Sequence, residues 1–274
     1  AGDATYNAAP QVTKTFTVKA KTNQSISAIS FSPAALTVSG VTTASATATS
    51  GLPVSFRSTT PNICSVNGAV VTGIAAGSCT VAANQAGDAT YNAAPQITKN
   101  ITVTKINQTI SVISFSSTTL IVGNTTTVSA TATSGLLVSF RSTTPNICSV
   151  NGAVVTGIAA GSCTVAANQA GDATYNAAPQ VTKTFTVKAK TNQSISAISF
   201  SPAALTVSGV TTASATATSG LPVSFRSTTP NICSVNGAVV TGIAAGSCTV
   251  AANQAGDATY NAAPQVTKNI TVSN

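Results

Sequence analysis

Six cysteines and four aspartates are the residues of this chain best suited to chemistry, and both sets are regularly spaced. Cys64 and Cys79, Cys148 and Cys163, and Cys233 and Cys248 form three pairs, each with the spacing Cys-x14-Cys. There is no histidine and no Cys-x-x-Cys, so zinc fits poorly. One disulfide inside each repeat is the economical reading, and it implies an oxidising compartment. Closing a loop of that length stabilises by about 3 kcal/mol through the entropy it removes from the unfolded chain. The aspartates Asp3, Asp88, Asp172 and Asp257 each occupy the same place in a copy of A-G-D-A-T-Y-N-A-A-P. General acid–base catalysis needs a group titrating near neutral pH or two carboxylates with separated pKa values. One Asp per repeat, with no Glu and no His, supplies neither. A lone Asp in a turn cannot fill a calcium shell either. The residues therefore point away from an enzyme, a metal and a cofactor.

The spacing of these residues follows from an internal repeat. Residues 1–85 recur letter for letter as residues 170–254, with a near copy between. A fixed long period marks a tandem array. A period of about 84 residues, read from Cys64 to Cys148, is long enough for a small domain with its own core, unlike a solenoid repeat. Aromatics make up only 4% of the chain and alanine fills many inward positions, so the core has little margin without a crosslink.

Helical periodicity is absent and strand-like alternation is frequent. Ala44, Ala46 and Ala48 alternate with Ser45, Thr47 and Thr49, a half-buried strand that Gly51-Leu52-Pro53 interrupts. Val54 and Phe56 then share one face. Cys64 and Val66 alternate after the Thr60-Pro61-Asn62 turn, and Asn67-Gly68 predicts a tight hairpin between 63–66 and 69–74. Cys79, Val81 and Ala83 share the inward face of the next strand. Residues 86–95 form a long connection before a last strand marked by Ile101 and Val103, or by Phe16 and Val18 in the first copy. About seven short strands with turns between them predict an all-β fold, a two-sheet antiparallel sandwich in each repeat.

Where a domain begins is set by the one length difference between copies. K-A-K-T-N separates Val18 from Gln24, whereas T-K-I-N, one residue shorter, separates Val103 from Gln108. Insertions are tolerated best at exposed joints. This places domains at 21–104, 105–188 and 189–274, with residues 1–20 the last strand of a preceding domain. Linkers this short predict a restricted angle between neighbours. The first residue falls mid-repeat, which predicts an interior piece of something longer, with any anchor or export signal outside it.

Twelve basic residues against four acids give a net charge of +8, but the cations are spread and only 6% of the chain is charged. Nucleic-acid binders cluster cations and interleave stacking aromatics, so no nucleic-acid partner is expected. No stretch approaches the ~20 apolar residues of a membrane-spanning helix. Asn-x-Ser/Thr triplets at Asn23, Asn100, Asn107, Asn124, Asn192 and Asn269 are read as chance in so Asn-, Ser- and Thr-rich a chain.

The run S-G-L-P-V-S-F-R-S-T-T-P-N-I-C-S-V-N-G-A-V-V-T-G-I-A-A-G-S-C-T-V-A-A-N-Q-A-G-D-A-T-Y-N-A-A-P, followed by F-T-V, resembles the bacterial immunoglobulin-like repeats (Big/MBG type) of long extracellular surface proteins and adhesins. The resemblance covers every repeat. It implies tandem immunoglobulin-like sandwiches, export to the cell surface or beyond, and a stalk or fibre role. It carries no catalytic residue over. Within such a sandwich Tyr6, Tyr91, Tyr175 and Tyr260, three residues after the Asp, read as corner tyrosines whose rings pack on the sandwich end and whose hydroxyls bond backbone. The adjacent Asp fixes the turn by bonding nearby amides. Lys14, in phase with Phe16 and Val18, reads as a lysine that snorkels at the sheet edge.

Three functions follow in order of preference. The first is a non-catalytic spacer in an extended bacterial surface stalk or fibre, whose partners are the neighbouring repeats of the same chain. The second is a subunit of an extracellular filament, with residues 1–20 pairing with an identical neighbouring chain. The last is a multivalent carbohydrate- or protein-binding module, for which one Tyr per repeat and no Trp is a thin basis.

Overall fold

In the computed structural model, which describes residues 2 and 4–274, every regular element is a β-strand. The first eight strands are β1 (Ser30–Ser32), β2 (Leu36–Thr37), β3 (Val41–Ser45), β4 (Ser55–Ser58), β5 (Cys64–Asn67), β6 (Val70–Gly73), β7 (Gly77–Asn84) and β8 (Ile97–Thr104). They form two four-stranded sheets, ordered β1-β3-β6-β5 and β2-β8-β7-β4. Neighbours are antiparallel except β2 and β8, which run parallel.

The arrangement recurs twice. The second set is β9 (Ser114–Phe115), β10 (Thr119–Ile121), β11 (Thr125–Ser129), β12 (Ser139–Ser142), β13 (Cys148–Asn151), β14 (Val154–Gly157), β15 (Gly161–Asn168) and β16 (Val181–Lys188). The third is β17 (Ser199–Ser201), β18 (Leu205–Thr206), β19 (Val210–Ser214), β20 (Ser224–Ser227), β21 (Cys233–Asn236), β22 (Val239–Gly242), β23 (Gly246–Asn253) and β24 (Val266–Ser273). By compactness the chain divides into two units, Ala1–Gln108 with Ala170–Ala177, and Thr109–Gln169 with Ala178–Asn274. The first unit holds β1–β8 and the second holds β9–β24.

Each set is an immunoglobulin-like sandwich, with one sheet built from the first, second, fourth and fifth positions of that fold and the other from the remainder. The count is eight strands per repeat rather than seven. The difference lies in the opening strand, which leaves one sheet after β1 and joins the other as β2, so that a single stretch reads as two strands. In the first and third repeats this crossover runs through the cis peptides Ser32–Pro33 and Ser201–Pro202. The second makes the same crossover with Ser116–Ser117.

The alternation read from the sequence is the alternation of the sheets. Val41, Thr43 and Ser45 of β3 face out while Thr42 and Ala44 are buried. Cys79, Val81, Ala82 and Ala83 of β7 are fully buried, as are Val71 and Cys64. Ile29, Leu36 and Val103 complete a core with few large side chains. Through it runs the Cys64–Cys79 disulfide, Cα–Cα 5.7 Å, which joins β5 of one sheet to β7 of the other. Cys148–Cys163 and Cys233–Cys248 do the same in their repeats.

The hairpin between β5 and β6 forms one residue later than Asn67-Gly68 implied. Asn67 pairs with Val70, so the two loop residues are Gly68 and Ala69. Gly68 has φ 61°. Glycine at the first central position is the signature of a type II′ turn, which needs only one left-handed residue, so Asn67 stays extended in its strand.

Residues 4–20 carry no strand and are exposed throughout. Val12, Phe16 and Val18 are 92%, 85% and 81% exposed. The same letters at 181–188 form β16, where Phe185 and Val187 are 9% and 1% exposed. A strand needs a neighbour to take its backbone groups; β16 has β10 and β15, and among the described residues no strand pairs with residues 12–19.

Replacing both cysteines of one repeat by alanine (Cys64→Ala with Cys79→Ala) is expected to cost that repeat about 3 kcal/mol, read as an earlier urea transition. An unchanged transition would mean that the bond does not support the sandwich. Truncating Leu36, 2% exposed and the anchor of β2, to alanine is expected to cost about 2–5 kcal/mol in the same measurement.

Candidate functional site

The six sulfurs are fully buried, and there is no free cysteine among the described residues. The Ser58 hydroxyl lies 3.3 Å from Cys64 Sγ, and Thr60 Oγ1 3.6 Å from it. Thiol–disulfide exchange needs access for an attacking thiolate, so these bonds are placed to crosslink rather than to react.

The Asp–Tyr turn is built from backbone amides. Asp88 Oδ1 accepts from the N–H of Thr90 at 2.7 Å and of Tyr91 at 2.8 Å, and the Asp88 N–H donates to Tyr91 O. Asp172 and Asp257 make the same bonds. The amide of Tyr91, then that of Thr90, holds the Asp88 carboxyl below its ordinary pKa, with a smaller contribution from Lys21. Tyr175 and Tyr260 act likewise on Asp172 and Asp257. Each of these carboxylates is thus ionised at neutral pH, with its Oδ1 taken up by two amides. Among the described residues no three His, Cys, Asp or Glu side chains come together as metal ligands. Gly87, φ 76°, is required here because a Cβ would lie 2.4 Å from Tyr91 O.

The turn fastens the start of each repeat. The Thr22 N–H donates to Thr90 O, and the Asn92 N–H returns to Thr22 O. Ile106 and Thr191 bridge Tyr175 and Tyr260 in the same parallel manner. The tyrosines serve through their backbone. Tyr91, Tyr175 and Tyr260 are half-buried, and the turn uses their backbone N–H groups. Tyr6 is 74% exposed, and Asp3 lies outside the described residues.

One group was not singled out from the sequence. Gln24 is buried, and its Nε2 donates to Gln85 Oε1 at 2.6 Å and to Asn92 O at 2.7 Å, while its Oε1 accepts from the Ser50 hydroxyl. Gln193 repeats this with Gln254, Asn261 and Ser219. The recurrence of Gln at 24, 108 and 193, each between Asn and Ser or Thr, was the available signal. A long polar side chain ordinarily reads as surface.

Lys14 is exposed, whereas its counterparts in the complete repeats lie at the sheet edge. Lys99 Nζ donates to Ile29 O at 2.8 Å and stands 5.8 Å from the Phe31 ring centroid. Lys183 and Lys268 repeat both contacts. Beside Lys99 is a cleft of about 510 Å³ lined by Phe31, Ala34, Ala35, Leu36 and Ile101, and its counterpart at Phe200, Leu205 and Ile270 holds about 500 Å³. In the second repeat Phe185 stands in place of Ile101, and its ring packs edge-on to Phe115 with centroids 4.7 Å apart.

No protein-family model and no curated protein matches the sequence. Solved structures similar in fold include domains 1–6 of the surface layer protein SbsC, at 16% identity and TM-score 0.30, covering 90% of this chain and 40% of that one. The Escherichia coli adhesin FdeC is 21% identical, TM-score 0.31, over 92% of this chain and 97% of its own. Immunoglobulin domains 1–5 of Sidekick-1 are 12% identical, TM-score 0.34, over 86% and 56%. The chain thus spans less than half of the surface layer structure it matches. These are loose likenesses among tandem sandwiches, and the fold assignment rests on this chain's own sheets.

The Asp turns set the expected acid response. A carboxyl whose pKa is lower folded than unfolded contributes stability above its unfolded value, near 3.8, and loses it as pH falls through the folded value. Stability is therefore expected to be level from neutral pH to about 5 and to decline below about 4. In the Asp88→Asn, Asp172→Asn, Asp257→Asn variant, whose amide oxygens can accept the same bonds, the acid decline measured by urea unfolding should be shallower. An identical decline would place the acid sensitivity elsewhere.

Proposed function

We propose that this chain is a non-catalytic spacer, a run of Big/MBG-type immunoglobulin-like domains in a stalk or fibre of a bacterial extracellular or cell-surface protein. The observation that carries this is the internal closure of every repeat. Each holds two sheets, one buried disulfide and one Asp turn that fastens its own start, and each Asp is spent on amides. Buried disulfides suit a protein that works outside the cytosol. The domains on this reading are 21–104, 105–188 and 189–274, and residues 1–20 are the closing strand of a preceding repeat. The partners are the neighbouring repeats.

Pulling single chains from both ends tests the spacer. Three separate unfolding events are expected. Reduction should lengthen each, because the disulfide locks a sequence separation of 15 residues, about 50 Å of extended chain at ~3.6 Å per residue. One cooperative event, or lengths indifferent to reduction, would contradict independent crosslinked domains.

A further inference from the structure

The hairpins β5–β6, β13–β14 and β21–β22 turn at Asn67-Gly68, Asn151-Gly152 and Asn236-Gly237, the three Asn-Gly pairs of the chain. The main-chain nitrogen that follows an asparagine can close a five-membered ring on the side-chain amide carbon. A side chain on the following residue obstructs that approach, and glycine carries none.

The fold presents all three pairs to water. The six residues are exposed. The ladder closes at Asn67 with Val70, Asn151 with Val154 and Asn236 with Val239, so each glycine N–H lies beyond it. A Cβ built on Gly68, Gly152 or Gly237 meets nothing within 4 Å, which leaves room for a ring and for an attacking water. Other asparagines are held. Asn84 Oδ1 accepts from Gln96, Asn100 Oδ1 accepts from the Thr80 hydroxyl, and Asn92 Nδ2 donates to Asn23 Oδ1. None of these four precedes a glycine. The pairing of Asn67 with Val70 restrains the ring closure, which proceeds when the hairpin tip opens. Such tips open at far smaller cost than the core.

We propose that Asn67, Asn151 and Asn236 are sites of spontaneous covalent modification, each passing through a succinimide to aspartate or isoaspartate. The glycine nitrogen bonds to the asparagine Cγ, the Cγ–Nδ2 bond breaks, and the glycine N–H proton departs with the amide nitrogen as ammonia. Water then opens the ring. Addition at Cγ breaks the Cγ–N bond and gives aspartate. Addition at the main-chain carbonyl carbon breaks its bond to nitrogen and gives isoaspartate, whose main chain runs through Cβ and Cγ. Either product places a carboxylate where a neutral amide stood, so each event lowers the net charge of +8 by one unit. Isoaspartate also adds one main-chain atom between Asn67 and Gly68, which breaks the register of a hairpin that carries Cys64 and the fully buried Val71.

Ageing of the full chain tests this. Samples held for weeks in mildly alkaline buffer are reduced, alkylated, digested with trypsin and read by mass spectrometry. The amide-to-acid mass gain is expected at Asn67, Asn151 and Asn236 ahead of every other asparagine, and an isoaspartyl methyltransferase should label part of the product. The gain should be lost in the Asn67→Gln, Asn151→Gln, Asn236→Gln variant, because glutamine must close a six-membered ring. Ageing should move the urea midpoint down in the unsubstituted chain and leave it in place in the variant. A mass gain spread evenly over the asparagines, or confined to other positions, would overturn the proposal. So would a gain at the three sites in the urea-unfolded chain but not in the folded one, since the closed hairpin would then protect them. Isoaspartate at these sites with an unmoved midpoint would overturn the effect on the hairpin.

Discussion

The bond between β5 and β7 is the constraint on which each sandwich depends. Two sheets normally hold together by interdigitating large side chains, yet the inward face of β7 reads Cys79, Val81, Ala83. Ala–Ala contacts bury little apolar area, and the stabilisation scales with that area. Crosslinking the two sheets at their centre lowers the entropy of the unfolded chain. That offsets the thin core and leaves the surface free to be Ser- and Thr-rich with little charge.

The other fastenings act at the periphery of the same design. The Asp turn and the buried Gln24–Gln85 pair close one end of the sandwich, and Lys99 spans the gap between the sheets from β8 to Ile29 O. Buried polar groups of this kind are stable only when all are satisfied, and no buried side-chain polar atom is left unpartnered among the described residues. The chemistry-bearing side chains are thereby consumed by architecture. The aspartate Oδ1 atoms hold the turn amides, and the sulfurs, at zero exposure, are out of reach of an attacking thiolate.

Much of this was legible in the sequence because it depends on local pattern. Alternation at Ala44 and at Cys79–Ala83 marked buried faces, and the paired cysteines marked the crosslink. Asp followed by Tyr three residues later marked a turn. What was not legible depends on competition between neighbours. The Gly68 turn formed one residue late because a single left-handed glycine suffices. The opening strand divided because each of its halves finds a partner in a different sheet. Gln24 is buried only because Gln85, Asn92 and Ser50 meet it from distant segments. Phe185, which stands where the first repeat has Ile101, meets the Phe115 ring from a distant segment.

Tryptic mapping of the unreduced protein tests the central claim most directly, since the basic residues bracket each cysteine pair. Cleavage after Arg57 and Lys99, Arg141 and Lys183, and Arg226 and Lys268 should release residues 58–99, 142–183 and 227–268 as three single peptides. Each should be lighter by its thiol hydrogens. Peptides joined across repeats, or peptides that alkylate without reduction, would contradict the account.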